Sequence, residues 1–244
     1  MSFKKQIYPD DLQKVDKYIN KLKEEHSQID RLLDRLSCIG DNILIGGALR
    51  DIILKNNNPR DLDFIINTDI NLDTLFKNEF EYIKNRFGGY KLNIASIEID
   101  IWRMDDHWAF KENVIKKDQN NLKHTTFLNF DAIFYMLESK YIDSEMFNSC
   151  IIKNCLDITL DDEFVYLNPS REINVLRMLN IIDEWELKLS DKSYKYIKNW
   201  VYSNYNDAAD LLYRAQIKHY KFEKIKKERL INIIDNIELY RISY

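Results

Sequence analysis

The stretch Ile43-Leu44-Ile45-Gly46-Gly47-Ala48-Leu49-Arg50-Asp51, followed by Arg60-Asp61-Leu62-Asp63-Phe64-Ile65-Ile66, decides how this chain is read. An apolar run with the character of a buried strand ends at a glycine doublet. A short helical stretch follows, and then Asn56-Asn57-Asn58-Pro59, which reads as a turn because Asn tolerates left-handed backbone and Pro blocks continuation. The next strand opens with two acids two residues apart. The chain holds only five glycines in 244 residues, so a doublet at this place is not background.

Residues two apart on a strand point to one face of the sheet. Two carboxylates on one face repel each other and are costly to bury unless a cation lies between them. Mg²⁺ suits such a pair, because it is usually held by one or two carboxylates together with substrate phosphate. Asp-x-Asp also occurs in loops and in plain surface strands, so the pair alone leaves both readings open. A Gly-Gly turn lets the backbone approach a triphosphate and aim its N–H groups at it. The following helix N-terminus would add its dipole. A tight turn without any ligand explains the same doublet.

Thirteen residues lie between Gly47 and Asp61. That gap, bounded by the glycines and the alternating acids, resembles the DNA polymerase β-like nucleotidyltransferase signature. The fuller string resembles the head domain of class II tRNA CCA-adding enzymes and bacterial poly(A) polymerases, in which Gly-Gly-x-Val/Ala-Arg-Asp precedes Arg/Lys-Asp-x-Asp. The resemblance implies that Gly46, Gly47 and Arg50 serve the nucleotide phosphates, with Asp51 bracing their loop. It implies that Asp61 and Asp63 bind two Mg²⁺ ions. One ion would activate the acceptor hydroxyl, and both would stabilise charge on the α-phosphate and the leaving pyrophosphate.

A third carboxylate is usual in such folds. Ile97-Glu98-Ile99-Asp100-Ile101-Trp102-Arg103 offers two, both on one face. Asp100 is preferred, because Ile-Asp-Ile-Trp resembles a subset of these heads; Glu98 fits if Arg103 is aligned with the arginine that ends this strand in CCA-adding enzymes. Ahead of them, Gly88-Gly89 reads as a turn, with Lys91 just beyond it. The segment 125–132 (Thr-Thr-Phe-Leu-Asn-Phe-Asp-Ala) loosely resembles the family's Arg-Arg-Asp-Phe-Thr-Ile-Asn-Ala, and Asn129 is matched to the family Asn that supports the sugar. The Arg pair and the Asp are absent here.

Helical periodicity from Ser170 resembles the family's neck helix, with Arg177 on a family arginine and a nucleotide-binding role implied for it. The Glu-Asp-x-x-Arg template that selects C and A is missing, and Asn180 and Asp183 stand where later arginines are expected. The resemblance covers about residues 40–190, closely as far as Asp63 and loosely after Thr125.

Around this site the expected elements are a long helix from Asp10 to Leu36, strands over Asn42–Ile45 and Asp61–Asn67, and a helix over Leu75–Phe87. A strand pair follows over Tyr90–Ala95 and Ile97–Met104, then a further strand within Ser149–Leu160. Strands mixed with helices and then helices alone predict an α+β protein. With the resemblance, this becomes a nucleotidyltransferase head with a small mixed sheet flanked by helices, residues 1–168, followed by a helical neck and body, residues 169–244.

Composition sets the outer limits. Apolar residues at 45% and aromatics at 13% exclude a disordered chain. No apolar run approaches the ~18 residues of a membrane span, and the polar N-terminus lacks a signal-peptide core. The odd set Cys38, Cys150 and Cys155 has no metal spacing and reads as buried thiols in a reducing cytoplasm. Net charge is -4, divided as 22 basic against 29 acidic residues over 1–169 and 14 against 11 over 170–244. The basic run from Arg214 to Arg229, interleaved with Tyr213, His219, Tyr220 and Phe222, either tracks an RNA backbone or is a solvated helix face. The expected activity is Mg²⁺-dependent transfer of NMP from an NTP such as ATP to an RNA 3′ end, tRNA or tRNA-like. The alternatives are a toxin or defence enzyme that modifies tRNA or a protein, and a non-catalytic nucleotide-sensing module.

Overall fold

A computed structural model describes residues 9–55, 59–85, 88–168 and 171–242. The described residues form two compact units, one from 9–126 and 130–148 and the other from 127–129 and 149–242. The division expected at 168 differs from this one. Residues 149–168 lie in the second unit, because their short strand and loop pair with its elements.

The first unit is built on a seven-stranded mixed sheet in the order β3-β4-β5-β2-β1-β6-β7, and the α+β expectation holds. Two helices come first, α1 (Pro9–Glu25) and α2 (Ser27–Ser37). They were expected as one. The apolar stripe skips a turn between Leu22 and Ile29, where only Glu25 and His26 occupy the inward spacing. His26 takes an extended backbone, φ -135° and ψ 93°, and the helix restarts.

Strand β1 (Asp41–Ile45) ends at the glycine doublet, followed by α3 (Gly47–Arg50), a π-turn over Asp51–Lys55, and β2 (Asp61–Asn67). The helix expected over Leu75–Phe87 is instead α4 (Leu72–Phe76) followed by β3 (Tyr82–Lys84). Asn71 caps α4 by accepting from the Asp73 N–H, and Asn78 at φ +68° turns the chain out of the helix. Phe87 lies outside the described residues.

Strands β4 (Tyr90–Ile94) and β5 (Ile97–Arg103) form the expected hairpin. Its two-residue turn puts both Ala95 and Ser96 at positive φ, +53° and +66°. That geometry suits the strand twist but normally selects Asn and Gly. Gly89 is fixed by contact instead, since a Cβ there would lie 2.6 Å from the Trp102 ring. After α5 (Trp108–Lys111), β6 (Phe134–Met136) pairs with β1, and β7 (Tyr141–Asp143) forms the far edge.

The two sheet faces are distinguished by register. Ile43, Ile45, Ile65 and Phe134 share one face with Met104, Phe110 and Leu122 in a buried apolar cluster. Tyr135 points the other way and donates to Asp16 of α1, which places α1 on the opposite face. His107 sits at the margin of the apolar cluster. Its ring packs on Phe110 and its Nδ1 is buried without a partner, so burial depresses its pKa to about 4. The unfolded chain then binds a proton that the folded unit refuses, and stability falls as pH drops from about 6.5 toward 4. Urea titrations at pH 7 and pH 5 should differ by about 2 kcal/mol more in the wild type than in His107→Leu.

The second unit carries α6 (Glu145–Lys153, from Ser149 onward), β8 (Cys155–Leu156), α7 (Arg171–Trp185), β9 (Lys188–Leu189), α8 (Asp191–Ser203), α9 (Ala208–Tyr220) and α10 (Lys227–Asp235). The strand expected within Ser149–Leu160 shrinks to two residues beside the last turns of α6. Val175, Leu176, Met178, Leu179, Tyr194, Ile197, Leu212, Leu230 and Ile233 form its core. Buried Gln216 ties the α9–α10 loop by donating to Ile225 O at 2.7 Å and accepting from the Lys224 and Ile225 N–H groups. Cys150 is buried, but Cys38 is exposed, against expectation. No helix among the described residues is long and apolar enough to cross a membrane.

Candidate nucleotidyl-transfer site

The site is set by strand register. Parallel pairing of β2 with β5 places Asp61 opposite Glu98 and Asp63 opposite Asp100. Residues opposite each other in a parallel pair share a face, so four carboxylates lie on one face of two neighbouring central strands. They continue the face of the apolar cluster, which begins two residues farther along β2 at Ile65. Antiparallel pairing of β1 with β2 sets Ile45 opposite Asp63. The Gly46-Gly47 turn therefore leaves the sheet at the end where the acids stand.

Gly46 has φ +87° and ψ -147°, a conformation that side chains other than glycine's avoid. Its N–H is bonded to Ile133 O at 3.0 Å, and the space where its Cβ would stand is open. The doublet therefore permits close approach from outside. The short helix expected over Ala48–Lys55 is instead a four-residue α-turn, Gly47–Arg50, and a π-turn, Asp51–Lys55. A single α-turn running into a π-turn does not carry the dipole of a regular eight-residue helix.

Among the described residues, Arg60 and Lys91 oppose these acids. Arg60 pairs with its neighbour Asp61. Lys91 on β4 lies opposite Asp100 and reaches Glu98 Oε1 at 2.5 Å and Asp100 Oδ2 at 3.3 Å. Asp100 is the more enclosed acid, its side chain 15% exposed against 41% for Glu98. Burial raises the Asp100 pKa, with Glu98 and Asp61 adding like charge and Lys91 opposing them. Burial works against the Lys91 charge, but the two carboxylates outweigh it and push its pKa up.

Among the described residues no three His, Cys, Asp or Glu side chains converge into a metal site of protein ligands alone. The donor set is of the open kind. Paired carboxylates on a strand face offer hard oxygens that Mg²⁺ completes with water and phosphate, and the residues fit such an ion on those terms.

Arg50, for which a phosphate role is implied, is held within its own loop and against the 125–132 segment. Its Nε donates to Asp51 Oδ1 at 3.0 Å, it pairs with Asp131, and its guanidinium lies 5.2 Å over the Phe130 ring. Asp131 is thus the residue of the 125–132 segment that reaches the Gly-Gly loop. Laid without gaps on the family's eight-residue pattern, the segment puts that pattern's Asn on Asp131, and the ungapped count was the signal to follow. Asn129 belongs to the second unit. Its amide donates to Cys155 O at 3.0 Å and accepts from the Asp157 N–H at 2.9 Å, pinning 127–129 to that backbone.

Arg177 also belongs to the second unit, on α7. On the same helix Asp183 is paired with Arg229, and neither amide atom of buried Asn180 has a partner. In the basic run, Arg229 pairs with Asp183, Lys227 with Asp210 and Lys224 with Glu184, at 2.6, 2.5 and 3.6 Å. These three cations are neutralised within the unit.

Among solved structures, a CCA-adding enzyme in complex with CTP matches with a TM-score of 0.56 at 15% identity, over 85% of this chain and 52% of that one. The chain has a nucleotidyltransferase fold. A tRNA nucleotidyltransferase complexed with a primer tRNA and an incoming ATP analog matches at 0.55 and 15%, over 82% and 58%. The Thermotoga maritima CCA-adding enzyme complexed with tRNA matches at 0.57 and 12%, over 86% and 51%. At these identities the likeness is one of fold. The chain spans about half the length of these proteins. No protein-family model and no curated protein matches the sequence.

Proposed function

We propose that this chain is a Mg²⁺-dependent nucleotidyltransferase that moves NMP from an NTP to the 3′ end of an RNA, with pyrophosphate leaving. The observation that carries this reading is the register that brings Asp61, Asp63, Glu98 and Asp100 onto one face beside the Gly46-Gly47 turn. The CTP, ATP-analog and tRNA complexes of the matched structures support NTP and tRNA as substrate classes. Divalent ions, when bound, supply the Lewis acid that activates the acceptor hydroxyl and offsets charge on the phosphates.

The chain's own groups do the rest. Asp61, Asp63 and Asp100 present the metal-binding oxygens. Gly46 and Gly47 admit the triphosphate to the backbone. Arg50, through Asp51 and Asp131, holds that loop in place. Asn129 and Arg177, for which the resemblance implies nucleotide contacts, belong to the second unit and take no part in this step.

A second reading, nucleotide sensing without transfer, is favoured by one observation. Arg60 and Lys91 already offset part of the carboxylate charge, so less of the repulsion is left for a metal to relieve. Incubation with each labelled NTP, Mg²⁺ and total RNA separates the two. Label is expected in RNA, at the 3′ end. NTP binding without incorporation into RNA or protein would establish the sensing reading, and label in protein would move the acceptor to a side chain.

A further inference from the structure

We propose that Lys91 is a tethered cation of the carboxylate cluster, anchored on Glu98 and holding Asp100 until a divalent ion displaces it. The proposal rests on the metal-dependent reading above and assigns a role to a residue which that reading leaves idle. Three observations carry it. Strand pairing alone sets Lys91 opposite Asp100, so the ammonium is directed at the acid cluster by the sheet and not by a flexible loop. Its two contacts are unequal, 2.5 Å to Glu98 and 3.3 Å to Asp100. Glu98 is the more exposed partner, and Asp100 is the one that lies across from Asp63.

Lys91 can therefore release Asp100 and remain paired. The lost contact is the longer one, and the ammonium keeps the shorter one to Glu98. A divalent ion at Asp63 and Asp100 replaces one positive charge by two and gains the remaining carboxylate oxygens. Glu98 is then the anchor of Lys91 and Asp100 the third metal-binding acid, the order of preference that the sequence already suggests. The arrangement also keeps four like charges on one face tolerable while no metal is present.

The test measures Mn²⁺ binding to the full chain without nucleotide, by electron paramagnetic resonance, in wild type, Lys91→Met and the charge-preserving Lys91→Arg. Removing a charge that competes at close range should tighten Mn²⁺ binding about tenfold in Lys91→Met, with Lys91→Arg within about twofold of wild type. Melting curves establish that each variant is folded, and Lys91→Gln replaces Lys91→Met if the latter does not fold. Equal or weaker Mn²⁺ binding in a folded neutral variant overturns the proposal and leaves the metal reading standing. Failure of both neutral variants to fold makes Lys91 a structural residue and overturns it as well. The measurement is repeated with a non-hydrolysable NTP analogue present, and absence of Mn²⁺ binding from every protein under both conditions overturns the metal reading, with which the tethered cation falls.

Discussion

Asp61→Ala and Asp63→Ala should each lower nucleotide incorporation by about a hundredfold to a thousandfold, while leaving the protein at least as stable as the wild type. The first expectation follows from the chemistry. Each acid is asked to hold the ion that carries charge off the α-phosphate, and losing a group that acts on developing charge costs about 10²–10³ in rate, or roughly 3–4 kcal/mol. Two acids holding one ion act as a unit, so the double variant should be scarcely worse than either single one.

The second expectation follows from the fold. Four acids share one sheet face with Arg60 and Lys91 as counterions. Deleting either acid removes like-charge repulsion from the shared face, and deleting Asp61 also removes its ion pair with Arg60. Melting temperature should stay level or rise slightly. The pairing of lost turnover with kept stability is the diagnostic result, read from incorporation kinetics and a thermal scan on the same preparations. Turnover like the wild type's in either variant would refute the metal assignment. Lost turnover with a large drop in melting temperature would instead make these acids structural.

The part of the fold legible in sequence was the part where one pattern dominates. Ile43 to Ile45 and Phe64 to Ile66 are apolar runs, and both lie on adjacent central strands. The acids were legible because strand alternation fixes their face whatever else the sheet does. The register that brings β5 alongside β2 was not legible. It depends on a non-local parallel pairing, and nothing in the local sequence encodes which strand lies beside which.

Short edge elements were lost for a related reason. Tyr82–Lys84 exposes Ile83 and lacks a clean alternation, so its strand character comes from pairing with β4. The break at His26 and the turn at Asn78 are single-residue backbone events that leave the apolar periodicity almost intact. Asn129 and Asp131 mark the remaining gap. Two small polar residues two apart look equivalent in sequence, yet one pins the second unit's backbone and the other holds Arg50.

That last contrast yields a large expected effect on stability. Arg50→Met should destabilise the first unit by about 3–5 kcal/mol, the cost of breaking a buried ion pair from one side. Asp131 is only 4% exposed at its side chain and Arg50 14%, and Phe130 closes one face of the guanidinium. Without that cation the carboxylate stays in an apolar setting with its main counter-charge gone. In a unit of this size the melting temperature should fall by about 10 °C. Arg50→Met combined with Asp131→Leu should recover much of the loss, because removing both charges ends the penalty that removing one creates. Arg50→Lys should lie between, since it keeps the charge but not the fork that serves Asp51 and Asp131 together. The same variants decide what Arg50 does for nucleotide. If it acts through the loop, the double variant regains stability and much of its NTP affinity, as measured by calorimetric titration. If it binds phosphate directly, the double variant regains stability while its NTP affinity stays as low as that of Arg50→Met.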